Sequence, residues 1–258
     1  EEASAACKRI IAKYPNTNES HEALMQLKNI SVAQHKVDDY LAFVKQVPDA
    51  EVSVAGQDSM TYEAAEVFYT QGNCDAAMKD FDKYLKKFSN AIFAVNANYY
   101  RSDCLRRSGK YEDALPGYEF VLARPKNLFS ENALLNAASI QLRLKRYQEA
   151  AARFVELERI AEVKENISAA RVGQLRCYGK LDDCTKTVSI SEKILAESGI
   201  DKELQGEAQL LAARCYLGSG ELQKAKTSFA ALSKRASSEL TAESKYSLAL
   251  IEYMQNNF

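Results

Sequence analysis

A column of small residues recurs about every 37 positions along this chain. Seven positions share the register, at separations of 37, 37, 37, 36, 37 and 38 residues: Ala3, Tyr40, Ala77, Ala114, Ala150, Thr187 and Ala225. Five of the seven are alanine, and only Tyr40 is large. A fixed period of roughly 20 to 50 residues marks a repeat architecture, in which each unit buries its apolar face against its neighbours. The period therefore predicts a stack of similar units.

Further columns of apolar residues keep fixed distances from this reference column. Ten positions before it stand Ile30, Val67, Cys104, Ile140, Cys177 and Cys215, with Ile251 in the same place of an eighth unit. Three positions before it stand Val37, Cys74, Tyr111, Tyr147, Cys184 and Leu222, with Phe258 in the same place. Four positions after it stand Cys7, Val44, Phe81, Tyr118, Phe154, Ser191 and Phe229. Because positions three before and four after share one face of a helix, these columns predict a buried helix face in every unit.

Turn residues separate two helical stretches within each unit. The break inside a unit carries Gly72-Asn73, Gly109-Lys110, Lys145-Arg146, Leu181-Asp182 or Gly220-Glu221. The break between units is stronger, as in Tyr14-Pro15-Asn16, Val47-Pro48-Asp49 and Arg124-Pro125-Lys126. Each unit is therefore predicted to run helix A, tight turn, helix B and loop. Pro116-Gly117, just after Ala114, predicts a late start or a bend in its helix.

Three segments carry a resemblance to the tetratricopeptide repeat family. They are YTQGNCDAAMKDFDKYLKKFSN, RRSGKYEDALPGYEFVL and RCYLGSGELQKAKTSFAAL. The resemblance implies an all-α fold, a right-handed α-solenoid of stacked antiparallel helix pairs with about 13 helices. The units here are about three residues longer than the usual 34 or so. Long units whose helix B ends in a Tyr-Pro-Asn-like sequence look like the subset found in bacterial envelope proteins.

The period favours one continuous solenoid over residues 1–258. Its expected parts are a half repeat 1–16, complete repeats at about 18–50, 58–89, 92–124, 129–161, 165–198 and 202–235, and a half repeat 238–258. Since the chain starts and stops inside repeats, we expect a fragment of a longer protein. The net charge of −1 gives no electrostatic support to a nucleic-acid or anionic-membrane partner. No apolar run reaches the roughly 20 residues that span a bilayer, so we expect no direct membrane insertion.

All six cysteines fall in core columns, where small buried hydrophobic residues are the favoured interpretation. A metal site and disulfides are the alternatives. The chain has no Cys-x-x-Cys and only two histidines, and we expect no metal and no cofactor. Six unpaired thiols favour a reducing compartment such as the cytoplasm. The family resemblance instead implies the bacterial envelope or periplasm, so the two indications conflict.

No catalytic constellation appears in the sequence. Ser108-Gly109-Lys110 imitates the end of a phosphate-binding loop, but that loop requires glycine where Cys104 stands. His21 and His35 are not placed near a plausible nucleophile. We therefore predict that the protein is not an enzyme. An enzyme with an active site in the groove is the alternative of a different class.

The resemblance also implies that helix A lines a concave groove in which partner peptides or domains dock. Carrying its inward positions over by register gives Tyr62, Glu66, Tyr69, Tyr99, Asp103, Arg106, Leu135, Ser139, Leu142, Val172, Arg176, Leu210 and Arg214, with Arg107 and Arg143 at the rim. The lysine and asparagines with which some family members grip a peptide C-terminus are absent, so we do not expect chaperone-tail binding.

Tyrosines cluster at the front of this groove, and acidic residues give way to basic ones along it. Tyrosine and arginine are enriched where binding energy concentrates. We therefore predict a protein-interaction scaffold that binds a peptide segment or partner domain. In the competing interpretation the tyrosines pack between neighbouring A helices and the charges are solvated. Self-association through exposed end repeats, or a role organising an envelope complex, is the alternative function.

Overall fold

The computed structural model describes residues 1–234 and 239–255 of the chain, excluding the side chain of Glu239. This part of the chain contains fourteen α-helices and no strand, close to the helix number expected. In order, the helices are α1 (Glu2–Lys13), α2 (Asn18–Ala33), α3 (Val37–Val44), α4 (Val54–Thr70), α5 (Cys74–Lys87), α6 (Ala94–Arg107), α7 (Tyr111–Leu122), α8 (Ser130–Arg143), α9 (Tyr147–Ile160), α10 (Lys164–Lys180), α11 (Cys184–Leu195), α12 (Lys202–Gly218), α13 (Leu222–Ser233) and α14 (Glu239–Met254). Phe258, which the sequence places in a core column, lies outside the described residues.

The helices form two compact units, Glu1–Phe129 and Ser130–Phe258. Even-numbered helices are the A helices and odd-numbered helices are the B helices. Within each unit every helix packs on the next one in the chain, and each A helix also contacts the A helix of the following repeat. The predicted fold class of stacked antiparallel helix pairs is confirmed. That residues 1–258 make one solenoid stays a prediction from the repeat period.

Each A-to-B turn uses one residue in the left-handed region, always five positions before the reference column. It is glycine in three turns, with φ of 76° at Gly72, 74° at Gly109 and 79° at Gly220. The other three turns place His35, Lys145 and Asp182 there, with φ between 53° and 60°. In all six turns the following N–H donates back into helix A over 2.8 to 3.1 Å. This is the capping that ends a helix with a left-handed residue, and it explains the glycines in the sequence pattern.

The reference column lies in the core. Ala77, Ala114, Ala150, Thr187 and Ala225 are fully buried, and Tyr40 is buried as well. Ala3 is the exception, because it is exposed on α1. Small side chains at these places let neighbouring helices approach closely, which is the physical origin of the period.

Two glycines mark still closer helix contacts. A Cβ at Gly173 of α10 would lie 2.4 Å from the ring of Phe154 in α9. A Cβ at Gly117 of α7 would lie 2.8 Å from the carbonyl oxygen of Asn98 in α6. Pro116 lies inside α7, which still begins at Tyr111 in register with α9. The expected late start of this helix is therefore wrong, and the bend stays a prediction.

Four of the six cysteines are paired, so the interpretation of six free thiols is wrong. Disulfides join Cys74 to Cys104 and Cys184 to Cys215, with Cα–Cα distances of 5.1 Å in both. Each joins the first residue of a helix B to the helix A of the next repeat. The two cysteine columns face each other at these two repeat interfaces, and this brings together residues 30 and 31 positions apart. Cys7 and Cys177 are free.

Candidate functional site

The A helices of the first unit carry a continuous set of aromatic contacts. Tyr62 on α4 is buried, with 3% exposed, and its ring stacks on Phe93 at 4.5 Å between centroids. Its hydroxyl donates to Glu66 over 2.5 Å and accepts from the Asn96 amide over 3.3 Å. Burial is the main cause that raises the pKa of Tyr62, and the hydrogen bond to Glu66 adds to it. Tyr62 therefore packs between repeats, as the competing interpretation of the tyrosines holds.

Tyr99 and Tyr69 remain partly open to solvent. Tyr99 stacks on Phe129 at 4.5 Å, the same contact that Tyr62 makes with Phe93 one repeat earlier. The ring of Tyr100 stacks on Tyr69 at 4.3 Å and meets Tyr99 edge-on at 5.7 Å. Phe93 and Phe129 were missed by the sequence reasoning. The shared signal was an aliphatic-Phe pair just before helix A, Ile92-Phe93 and Leu128-Phe129.

Four residues, Tyr69, Asp103, Arg106 and Arg107, converge to form what we call the Asp103 cluster. Tyr69 donates its hydroxyl to Asp103 Oδ2 over 3.0 Å. Arg106 Nη2 lies 2.7 Å from Oδ1, and Arg107 Nη2 lies 2.7 Å from Oδ2. The guanidinium of Arg107 also lies over the Tyr69 ring, 5.4 Å from its centroid. One buried carboxylate thus orients two arginines and a tyrosine.

The local electrostatics hold this cluster in one charge state. Burial raises the pKa of Tyr69, and the negative charge of Asp103 raises it further. Burial lowers the pKa of Arg106, but its hydrogen bond to Asp103 and the charge of that carboxylate outweigh burial and leave the pKa raised. Arg106 therefore remains charged and Tyr69 remains neutral across the physiological pH range.

Two arginines on the A helices of the second unit are each matched by one glutamate. Arg176 on α10 binds Glu207 through Nε and Nη2, each at 2.9 Å. Arg214 on α12 binds Glu243 through Nε at 2.5 Å and Nη2 at 2.6 Å. The two glutamates were missed by the sequence reasoning. They share a register with Asn96, near the start of the A helix that follows each arginine.

The other expected groove residues of this unit are dispersed. Ser139 and Arg143 on α8 are exposed, and Leu135 is partly buried. Of the register neighbours, Leu210 is buried and Val172 is partly buried. The structure therefore brings the expected site residues together most closely in the first unit.

Neither a metal site nor a membrane span is found in the described residues. In the ranges 1–234 and 239–255 no three His, Cys, Asp or Glu side chains are grouped so that they could hold a metal ion. In the same ranges no helix has both the length and the apolar character that crossing a bilayer requires.

Comparison with known proteins identifies the repeat. Family models described as tetratricopeptide repeat match residues 62–119, 103–161 and 207–238, together 132 of the 258 positions. This chain belongs to the tetratricopeptide repeat family. The fold of a tetratricopeptide repeat protein is that of a protein–protein interaction scaffold, and members of the family are generally not catalytic.

Solved structures share this fold at low sequence identity. YrrB, described as a tetratricopeptide repeat protein with an unusual peptide-binding site, is 15% identical with a TM-score of 0.52, over 76% of this chain and 91% of that one. The repeat domain of P58(IPK) is 16% identical with a TM-score of 0.43, and the match covers 100% of this chain and 76% of that one. Yeast Tom70 is 14% identical with a TM-score of 0.46, and the match covers 99% of this chain and 59% of that one. No curated protein matches the chain.

Proposed function

We propose that this tetratricopeptide repeat protein is a non-catalytic scaffold that binds a peptide segment or partner domain across its A helices. The observation that carries the proposal is the Asp103 cluster with the neighbouring ring of Tyr99. These groups combine two partly exposed tyrosines with two partly exposed arginines. Tyrosine and arginine are the residue types that most often dominate the binding energy of protein interfaces.

The cluster is held in place before any partner arrives. Asp103 is hydrogen-bonded to Tyr69 and Arg106 and ion-paired with Arg107, and Tyr99 is stacked on Phe129. Side chains that are already ordered lose little conformational entropy on binding, so more of their contact energy appears as affinity. The likeness to YrrB, a protein described as having a peptide-binding site, supports the proposal by analogy.

The test is selection from a random peptide library, followed by affinity measurements on individual peptides. The variant Tyr69→Ala/Tyr99→Ala should lose about tenfold or more in affinity, the range of a hot-spot residue. Tyr14→Ala is the control, because Tyr14 is more exposed than Tyr69 and Tyr99 and caps the C-terminus of the B helix α1. Circular dichroism confirms that helicity is retained. Equal affinity of the double variant and the parent protein would refute binding at this site.

Self-association is the second candidate, favoured by the surface of α14. Tyr246, Tyr253 and Met254 expose more than half of their surface on this helix. Tyr246 occupies the register that Tyr62 and Tyr99 fill in the first unit. Light scattering over a range of concentrations tests this candidate, and a mass that stays at 28.8 kDa throughout would exclude it.

A further inference from the structure

The Asp103 cluster exposes positive charge and hides negative charge. The side chain of Asp103 is only 6% exposed, whereas those of Arg106 and Arg107 are 36% and 49% exposed. Two guanidinium groups share this single carboxylate, so the three groups together carry a net charge of +1. Glu66, the acidic residue of the preceding repeat, accepts the hydrogen bond of the buried Tyr62. The solvent-facing part of the cluster is therefore cationic.

The arginines also keep hydrogen-bond donors for a ligand. A guanidinium has five N–H donors in a planar fork that matches a carboxylate. Arg107 uses Nη2 for both Asp103 and the Tyr69 hydroxyl, so its Nε and Nη1 have no hydrogen-bond partner among the described residues. Both oxygens of Asp103 are already engaged by Arg106, Arg107 and Tyr69.

The second unit differs in this respect. Arg176 and Arg214 each present Nε and Nη2 to one glutamate, so the fork of each is occupied and its charge is matched. An anionic segment consequently gains more from the Asp103 cluster than from Arg176 or Arg214, since in the cluster two cations share one anion.

We propose that the Asp103 cluster recognises a carboxylate side chain, so that the bound segment is an acidic peptide with an aromatic or apolar residue beside the acid. This rests on the proposed function. The carboxylate pairs with the free edge of Arg107, and the neighbouring residue packs on Tyr99 and Tyr69.

Parallel selections from one random peptide library test the acid preference. Asp and Glu should be enriched severalfold over the input in peptides selected by the parent protein, and affinity should fall as salt rises. The enrichment should disappear with Arg107→Gln and persist with the control Arg176→Gln. Persistence with Arg107→Gln, or selected peptides without acidic enrichment, overturns the inference.

The same experiment separates this inference from the proposed function. Neutral peptides that still depend on Tyr69 and Tyr99 leave the proposed function standing and remove only the acid preference. A selection that yields no binder, or binders indifferent to both tyrosines, removes the proposed function and the acid preference together.

A second and independent observation is that the two disulfides occupy the same place in two repeats. Cys104 and Cys215 are buried on helix A, next to Asp103 and Arg214 respectively. The same place in a third repeat holds Cys177, whose register partner in the other column is Tyr147, and it stays a free, buried thiol. Pairing therefore occurs where the facing position also holds cysteine.

We infer that the protein works in an oxidising compartment, in which these two disulfides join neighbouring repeats beside the A-helix surface. Reducing compartments keep such thiols unpaired. In forming each bond, two cysteine thiols lose two protons and two electrons. A disulfide oxidoreductase takes up both, and its own disulfide becomes two thiols.

Acid quenching of cells that carry the natural protein, followed by alkylation and peptide mass spectrometry, tests the compartment. Cys7 and Cys177 should be alkylated. Because Cys177 is buried, its alkylation shows that the protein was unfolded enough for the reagent to reach every free thiol. The other four cysteines should appear only as the linked peptides Cys74–Cys104 and Cys184–Cys215. Alkylation of all six would overturn the inference, and so would a different pairing.

Discussion

Replacing both cysteines of one disulfide by valine removes the cross-link and keeps an apolar side chain at each position. Cys74→Val/Cys104→Val is the suitable variant, because Val37 and Val67 hold the same two columns one repeat earlier, on α3 and α4. Valine is therefore a residue type that these columns already accommodate at the preceding interface. Any loss of stability then reports the covalent link more than the packing.

The expected loss follows from the length of chain that the bond closes. The two cysteines are 30 residues apart, and a cross-link over about that length removes about 12 cal/mol/K of entropy from the unfolded chain. At room temperature this corresponds to about 3.6 kcal/mol in the free energy of unfolding. If the free energy of unfolding falls by about 2 kcal/mol per molar urea, the urea concentration at the unfolding midpoint should fall by about 2 M.

The assay is urea unfolding followed by circular dichroism, with and without a reductant. The parent protein should lose stability in reductant, and the valine variant should lose only what the second disulfide contributes. Cys184→Val/Cys215→Val should behave in the same way, since its cysteines are 31 residues apart. A valine variant whose midpoint lies within error of the oxidised parent would refute the chain-entropy reasoning. A parent protein indifferent to reductant would refute the pairing itself.

Four further predictions concern single positions. Gly173→Ala should lower the free energy of unfolding by about 1 to 3 kcal/mol, because the added methyl meets the buried Phe154 ring. A variant as stable as the parent protein in denaturant titration would contradict this contact. Lys145→Gly should raise stability by up to about 1 kcal/mol, since it relieves a left-handed conformation at φ 60°, and an unchanged melting temperature would count against it. Tyr147→Cys should form a third disulfide with Cys177, so that one titratable thiol remains where the parent protein has two. Three titratable thiols would show that the columns do not face each other there. Burial raises the pKa of Cys177 to about 11, above its usual value of about 8.5. The buried neutral thiol therefore contributes to the free energy of unfolding in full below about pH 8.5, and this contribution is lost as pH rises toward 11. The decline in stability over that range should be smaller in Cys177→Ala, and identical pH profiles would contradict it.

Much of the local structure follows from sequence periodicity. A left-handed residue must end each A helix, and Gly72, Gly109 and Gly220 mark three of the six places where it does. Small residues must lie where helices cross closely, and Ala77 and Ala114 are fully buried there. These features depend on residues close together in the chain, within a single repeat, so a pattern along the sequence is enough to predict them.

The pairing of side chains across repeat interfaces was decided by tertiary structure. The sequence alone determined a stack of helical hairpins and the columns that line it. It did not determine that the column of Cys74 faces the column of Cys104, or that Glu207 meets Arg176, because such contacts depend on the axial offset between helices of different repeats. That offset results from packing summed over whole interfaces, and no single residue type encodes it.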